Sequence, residues 1–183
     1  MPYFNITLDV GAALNAFKFL WSNQNTLKNV VIHLGDFHFM KENFQVIGML
    51  VDRSGFKDTV YQSRICEGNL NSAISGSNYN RAWFVHSRFS EALERLLLQR
   101  FMAEMNPIVP ESLADISVDP ESFNAKIPDE WKNFIRKYES YRKGVREGKI
   151  GKTAQFWMIY LDMMRIQHQI HTAVQTNDFE MRL

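Results

Sequence analysis

Residues Asn29 to His38 read Asn-Val-Val-Ile-His-Leu-Gly-Asp-Phe-His, and this run limits the chain more than any other part of it. A short apolar run rich in β-branched residues that breaks at Gly reads as a buried strand in an α/β sheet, where both faces of the strand are covered. Ligands in such sheets gather beyond the carboxyl ends of the strands, and Asp36 and His38 fall there. Upstream, Phe4-Asn5-Ile6-Thr7-Leu8 alternates apolar and polar like a half-buried strand and also ends in a carboxylate, Asp9.

Between these runs Ala13, Leu14, Phe17, Leu20 and Trp21 recur at three and four residues, the spacing of one helix face. After the second strand, Met40, Phe44, Ile47 and Val51 repeat the pattern until Ser54-Gly55 stops it. Residues 1–60 therefore read as β-α-β-α, with the strands parallel through a right-handed crossover. Two strands make a marginal sheet, so further strands are expected from elsewhere, including sequence beyond this chain. Residues 61–105 read as helical, with a long helix over 78–105 whose stripe is Tyr79, Trp83, His86, Phe89, Leu93, Leu96, Leu97, Arg100 and Phe101. Residues 106–129 hold Pro107, Pro110, Pro120 and Pro128 among several acids and read as an exposed connection. Two helices then fill 130–183, the first of them basic. The fold class is an α/β N-terminal part followed by a mainly α-helical part, helix-rich as a whole.

Charge and cysteine usage exclude several functions. A formal net charge of +1 gives no global attraction to nucleic acid or to an anionic membrane, so any basic surface must be local. The single cysteine, Cys66, excludes an internal disulfide framework and fits an intracellular setting. No apolar run approaches the roughly 20 residues that span a bilayer, so no membrane partner is expected. There is no Gly-x-Gly-x-x-Gly, Walker-type, Gly-x-Ser-x-Gly or His-Glu-x-x-His motif. Gly151-Lys152-Thr153 matches only the tail of a phosphate loop, with Arg146 where a glycine is needed.

Three groups of residues could carry chemistry. Asp9 and Asp36, on neighbouring strand ends, could hold Mg²⁺ or Mn²⁺ for phosphoryl transfer, with His38 as a further ligand or proton donor. Alternatively each Asp precedes a helix and caps its free N–H groups, which stabilises a helix by about 1 kcal/mol. His168 and His171 have the i, i+3 spacing that can present two imidazoles together, whereas His33 and His86 read as sheet-face and core residues. Finally, Lys132, Arg136, Lys137, Arg142, Lys143, Arg146, Lys149 and Lys152 cluster near Trp131, Tyr138 and Tyr141, a combination that could contact phosphates and stack on bases. The same cations could instead be neutralised internally by the acidic stretch from Glu104 to Glu130.

The segments Ile6-Thr7-Leu8-Asp9, Leu34-Gly35-Asp36-Phe37-His38, Ser75-Gly76-Ser77-Asn78-Tyr79-Asn80-Arg81 and Phe156-Trp157-Met158-Ile159-Tyr160-Leu161-Asp162 give the chain a family likeness. It resembles uncharacterised, often multicopy animal proteins derived from mobile elements and similar to ribonuclease-H-like transposases. The resemblance implies that residues 1–60 are a partial ribonuclease-H-like core, with Asp9 as first acid, Asp36 as second and the third beyond Leu183. It implies a truncated member whose longer relatives continue with an aromatic-rich segment. The function expected is that of a remnant metal-dependent nuclease or strand-transfer domain, inactive alone, with DNA as partner and a nuclear setting. It could also self-associate through the surface that the missing part leaves. The alternative is a non-enzymatic nucleic-acid or protein-binding module using the basic face 131–152. A third alternative is a degenerate frame whose product folds incompletely.

Overall fold

The computed structural model describes residues 2–66, 68–109 and 129–176. The N-terminal order is β1 (Phe4–Leu8), α1 (Val10–Ser22), β2 (Val30–Leu34) and α2 (Asp36–Val51). Helices α3 (Phe56–Ser63), α4 (Leu70–Ile74), α5 (Tyr79–Met105), α6 (Asp129–Arg146) and α7 (Lys152–Thr176) follow. The β-α-β-α start and the helical remainder agree with the pattern of the sequence. The connection expected over 106–129 lies mostly outside the described residues, which omit 110–128.

The chain divides into two compact units, one of Met1–Arg88 with Met163–Leu183 and the other of Phe89–Asp162. In the first unit β1 and β2 pair in parallel, with Phe4 opposite Val30, Ile6 opposite Ile32 and Leu8 opposite Leu34. This sheet differs from the expected buried one. Every residue of β1 except Leu8 is exposed, and in β2 only Val30 and Ile32 are half-buried, because among the described residues the sheet is a single layer of two strands.

The core of the first unit lies among the helices. Met40, Phe44, Ile47 and Val51 of α2 are buried, as are Phe56, Val60, Leu70, Ala73, Ala82 and Val85. His86 is fully buried and stacks on Phe44 at 5.3 Å and on Phe56 at 4.9 Å between ring centroids. Two glycines permit this packing. A Cβ on Gly48 would stand 2.5 Å from the Ile74 carbonyl oxygen, and one on Gly76 would stand 2.6 Å from Phe44 Cβ. Gly76 also has φ +73°, so the Ser75-Gly76-Ser77 turn needs glycine both for its backbone and for its closeness to α2.

Polar groups tie α7 to α2 in the same unit. Asn43 Nδ2 donates to Gln167 Oε1 at 2.6 Å, and Gln167 Nε2 donates to the Met40 carbonyl at 3.3 Å. Gln167 is fully buried, and both ends of its amide have partners, as a polar group away from water requires.

The second unit contains the rest of α5, all of α6 and the start of α7. Phe101 packs against Phe134, Tyr138 and Tyr141 at 5.2 to 5.6 Å. Phe89 meets Trp157 and Tyr160. Gly148, with φ +82°, closes the short loop between α6 and α7, where its N–H donates to Val145 and that of Lys149 to Gly144. Leu96, expected on the buried stripe of α5, is 61% exposed, since the stripe drifts off the contact over so long a helix.

Candidate functional site

The parallel register brings the two strand-end acids to one end of the sheet. The Gly35 N–H donates to the Leu8 carbonyl at 2.8 Å, which carries the ladder one step past the strands. Asp9 leaves β1 directly there and Asp36 leaves β2 one residue later. Each stands at the start of a helix, so the N-termini of α1 and α2 share this end.

The two carboxylates have different local roles. Asp9 is the N-cap of α1: its Oδ1 accepts from the Ala12 N–H at 2.7 Å, while its backbone carbonyl takes the Ala13 N–H. Asp36 is not a cap. Gly35 holds that position without a side-chain bond, and Asp36 is the first helical residue of α2, half-buried, where a negative charge meets the positive end of the helix dipole. His38 folds back toward the strand end. A Cβ on Gly35 would lie 3.6 Å both from His38 Cδ2 and from the Leu8 carbonyl oxygen.

Among the described residues no group of three or more His, Cys, Asp or Glu is placed to hold an ion. One oxygen of Asp9 is already engaged as a cap. An octahedral Mg²⁺ or Mn²⁺ would rest here on at most two carboxylates and water.

The basic helix α6 is partly neutralised within the second unit, which corrects the set of cations expected on its surface. Arg142 is 5% exposed. Its Nη1 donates to Glu94 Oε1 at 2.6 Å and also to Oε2, and its guanidinium lies 5.8 Å from the Tyr138 ring centroid. Arg146 forms a bidentate pair with Asp162 at 2.6 and 2.7 Å. Lys132 bonds Asp129 at 2.9 Å. Arg136, Lys137 and Lys143 stay exposed without an ion pair among the described residues. Glu94 and Asp162, the acids that matter most here, come from α5 and α7, not from the acidic connection. Of the acidic stretch, Asp129 takes Lys132 and Glu104 pairs with Arg100 and accepts from the Tyr141 hydroxyl at 2.8 Å, while residues 111–126 lie outside the described residues.

The other histidines serve packing. His86 Nε2 lies 3.2 Å from the Ile74 carbonyl, and burial lowers its pKa to about 4. His168 and His171 do share a face, but they meet an indole: Trp83 stacks on His171 at 3.9 Å and tilts against His168 at 4.7 Å. Burial lowers the pKa of both rings, and His171 adds a repulsion that lowers His168 further. His33 stands on the exposed sheet face with Nε2 3.1 Å from Asn5 Oδ1. One cleft of the first unit was marked by no motif. It has a volume of about 760 Å³, lies between the end of α2 and the starts of α3 and α4, and is bordered by Gly48, Met49, Phe56, Asn71 and Ser77. Asp52, Arg53, Lys57 and Asp58 give its rim both signs of charge, so no ligand charge is selected.

The family model described as a domain of unknown function, DUF8702, matches residues 1–183, the full length of the chain, and the chain belongs to that family. No curated protein and no solved structure matches it.

Proposed function

We propose that this member of the DUF8702 family is a transposon-derived, ribonuclease-H-like module that has no nuclease activity alone and acts in the nucleus by holding DNA. One observation carries the reading: β1 and β2 run parallel in register and release Asp9 and Asp36 at adjoining carboxyl ends, the arrangement in which such folds keep their acids. The donor set favours binding over strand cleavage, because Asp9 is engaged as a helix cap. Arg136, Lys137 and Lys143 supply the phosphate contacts, since Arg142 and Arg146 are held by Glu94 and Asp162.

Fluorescence anisotropy with a labelled duplex tests this. Three phosphate contacts correspond to a slope of log affinity against log salt of about −2.7. Reversing the three charges to Glu should abolish binding, while Asp36→Ala should leave it intact. Salt-independent binding, or none, would remove the proposal. A divalent cation enters this reading only as a weak visitor at Asp9 and Asp36. Titrating Mn²⁺ into isotopically labelled protein should then broaden amide signals near both residues, less so in Asp36→Ala. Uniform spectra would leave the aspartates as parts of the helix starts only.

A further inference from the structure

Among the described residues the sheet of the first unit is open at the outer edge of β1. In a parallel ladder each residue sends its N–H and C=O toward the same neighbour, and successive residues alternate sides. Phe4 donates to Asn29, and Leu8 accepts from Gly35, so Phe4, Ile6 and Leu8 face β2. The N–H and C=O groups of Asn5 and Thr7 therefore point to the outer edge of β1. Among the described residues β1 has no strand on that side. The outer edge of β2 is partly closed, because the Val30 N–H bonds the Leu27 carbonyl of the preceding turn.

We propose that two copies of this chain join by antiparallel pairing of β1 with β1, making a four-stranded sheet in the order β2-β1-β1-β2. The sequence Phe-Asn-Ile-Thr-Leu is suited to meeting itself. With Ile6 opposite Ile6 of the second copy, all five residues pair: Phe4 faces Leu8, and Asn5 faces Thr7. The two Asn5 and Thr7 pairs are then the hydrogen-bonded ones, each with two backbone bonds, and the central Ile6 pair is the close, non-bonded one. Apolar side chains meet on one face and the short polar ones on the other, the like-with-like arrangement that stabilises cross-strand pairs. The twofold axis is perpendicular to the sheet, so α1 of both copies covers the same face. Phe4 and Ile6, exposed in the single chain, gain cover from the partner's Leu8 and Ile6. An isologous contact of this kind closes at two copies and leaves no β1 edge to propagate.

The register makes the proposal testable with thiols. In a Cys66→Ser background, Ile6→Cys places two sulfurs across a pair whose Cα atoms are about 4.5 Å apart, within the reach of a disulfide. Thr7→Cys faces Asn5 of the partner and has no thiol opposite it. Under mild oxidant Ile6→Cys should run as a covalent dimer on a non-reducing gel, and Thr7→Cys should not. Wild-type protein should sediment as a dimer that dissociates on dilution. Thr7→Pro removes an outward donor while leaving every bond to β2, so it should weaken dimerisation at least tenfold and keep the thermal midpoint of the monomer. A wild type that stays monomeric at all concentrations, equal cross-linking of Ile6→Cys and Thr7→Cys, or dimerisation of Thr7→Pro with wild-type strength would overturn the proposal.

Discussion

Phe4 in β1 and Phe19 and Trp21 in α1 are 63, 64 and 64% exposed, whereas Phe44 and Phe56, a few turns further along, are 0% exposed. The residue types are the same, and the difference lies in what stands next to them. α2 has α3, α4, α5 and α7 to pack against, and it comes so close to the turn at Ser75-Gly76 that only glycine fits. Among the described residues β1 has one strand beside it and one helix, α1, against it. Aromatic content alone therefore does not locate a core; the number of adjoining elements does.

Substitutions can break that comparison. Phe44→Ala should cost about 3–5 kcal/mol of unfolding free energy in urea. Phe19→Ala should stay within about 0.5 kcal/mol, as exposed positions do. Similar losses at both sites would show that the β1–α1–β2 segment is as well packed as the helices.

Protonation gives the next largest effect. The His86 imidazole is neutral in the fold, with its pKa at about 4 against an ordinary 6.5. The fold is therefore fully supported above pH 6.5 and loses stability as pH falls from there toward 4, by about 3 kcal/mol from this residue. His168 and His171 act in the same direction through their own burial. The difference in pH dependence between wild type and His86→Gln, whose amide can still donate to Ile74, isolates the buried ring. Parallel pH curves for the two proteins would contradict it.

The glycines separate the two regions with opposite signs. Gly48→Ala drives a methyl into the Ile74 carbonyl and should destabilise by about 2 kcal/mol. Gly11→Ala in α1 meets only Asp9 Oδ1 at 3.6 Å, an ordinary contact, and should stabilise by up to about 1 kcal/mol through helix propensity. Thermal melts of the two variants should shift in opposite directions. The smallest effect is at the strand end, where Asp9→Ala loses the α1 cap and about 1 kcal/mol. Asp9→Asn keeps an acceptor there and should melt close to wild type.

Much of the architecture was legible because it is local. The strands Phe4–Leu8 and Val30–Leu34 follow from their apolar pattern and the glycine break, and the long helix starts within one residue of the expected place. Helical period marked His86 as a core group, which its burial bears out. What periodicity does not carry is the identity of the partner. Arg142 looked like one of a row of surface cations until Glu94, 48 residues earlier, drew it inward. The pairing of Trp83 with His168 and His171 depends likewise on a contact between α5 and α7 that no spacing along the chain records. At the strand end the sequence located both acids and offered each as a helix cap; Asp9 is one, whereas Asp36 begins its helix. That difference turns on a single residue of helix boundary, the least readable feature of a sequence.

The hydrogen bond from Asn43 to Gln167 spans 124 residues. A ribosome makes about 5–20 residues per second, so Asn43 waits roughly 6 to 25 seconds for its partner to be synthesised. Through that interval α2 lacks the helix that covers its Asn43 side, and by the time Gln167 is added every residue of the second unit has been made. The nascent chain must therefore keep an aromatic-rich helical surface out of trouble until α7 emerges. A chaperone that meets this protein would be expected to find it then, with Phe89–Asp162 complete and Met1–Arg88 still waiting to close.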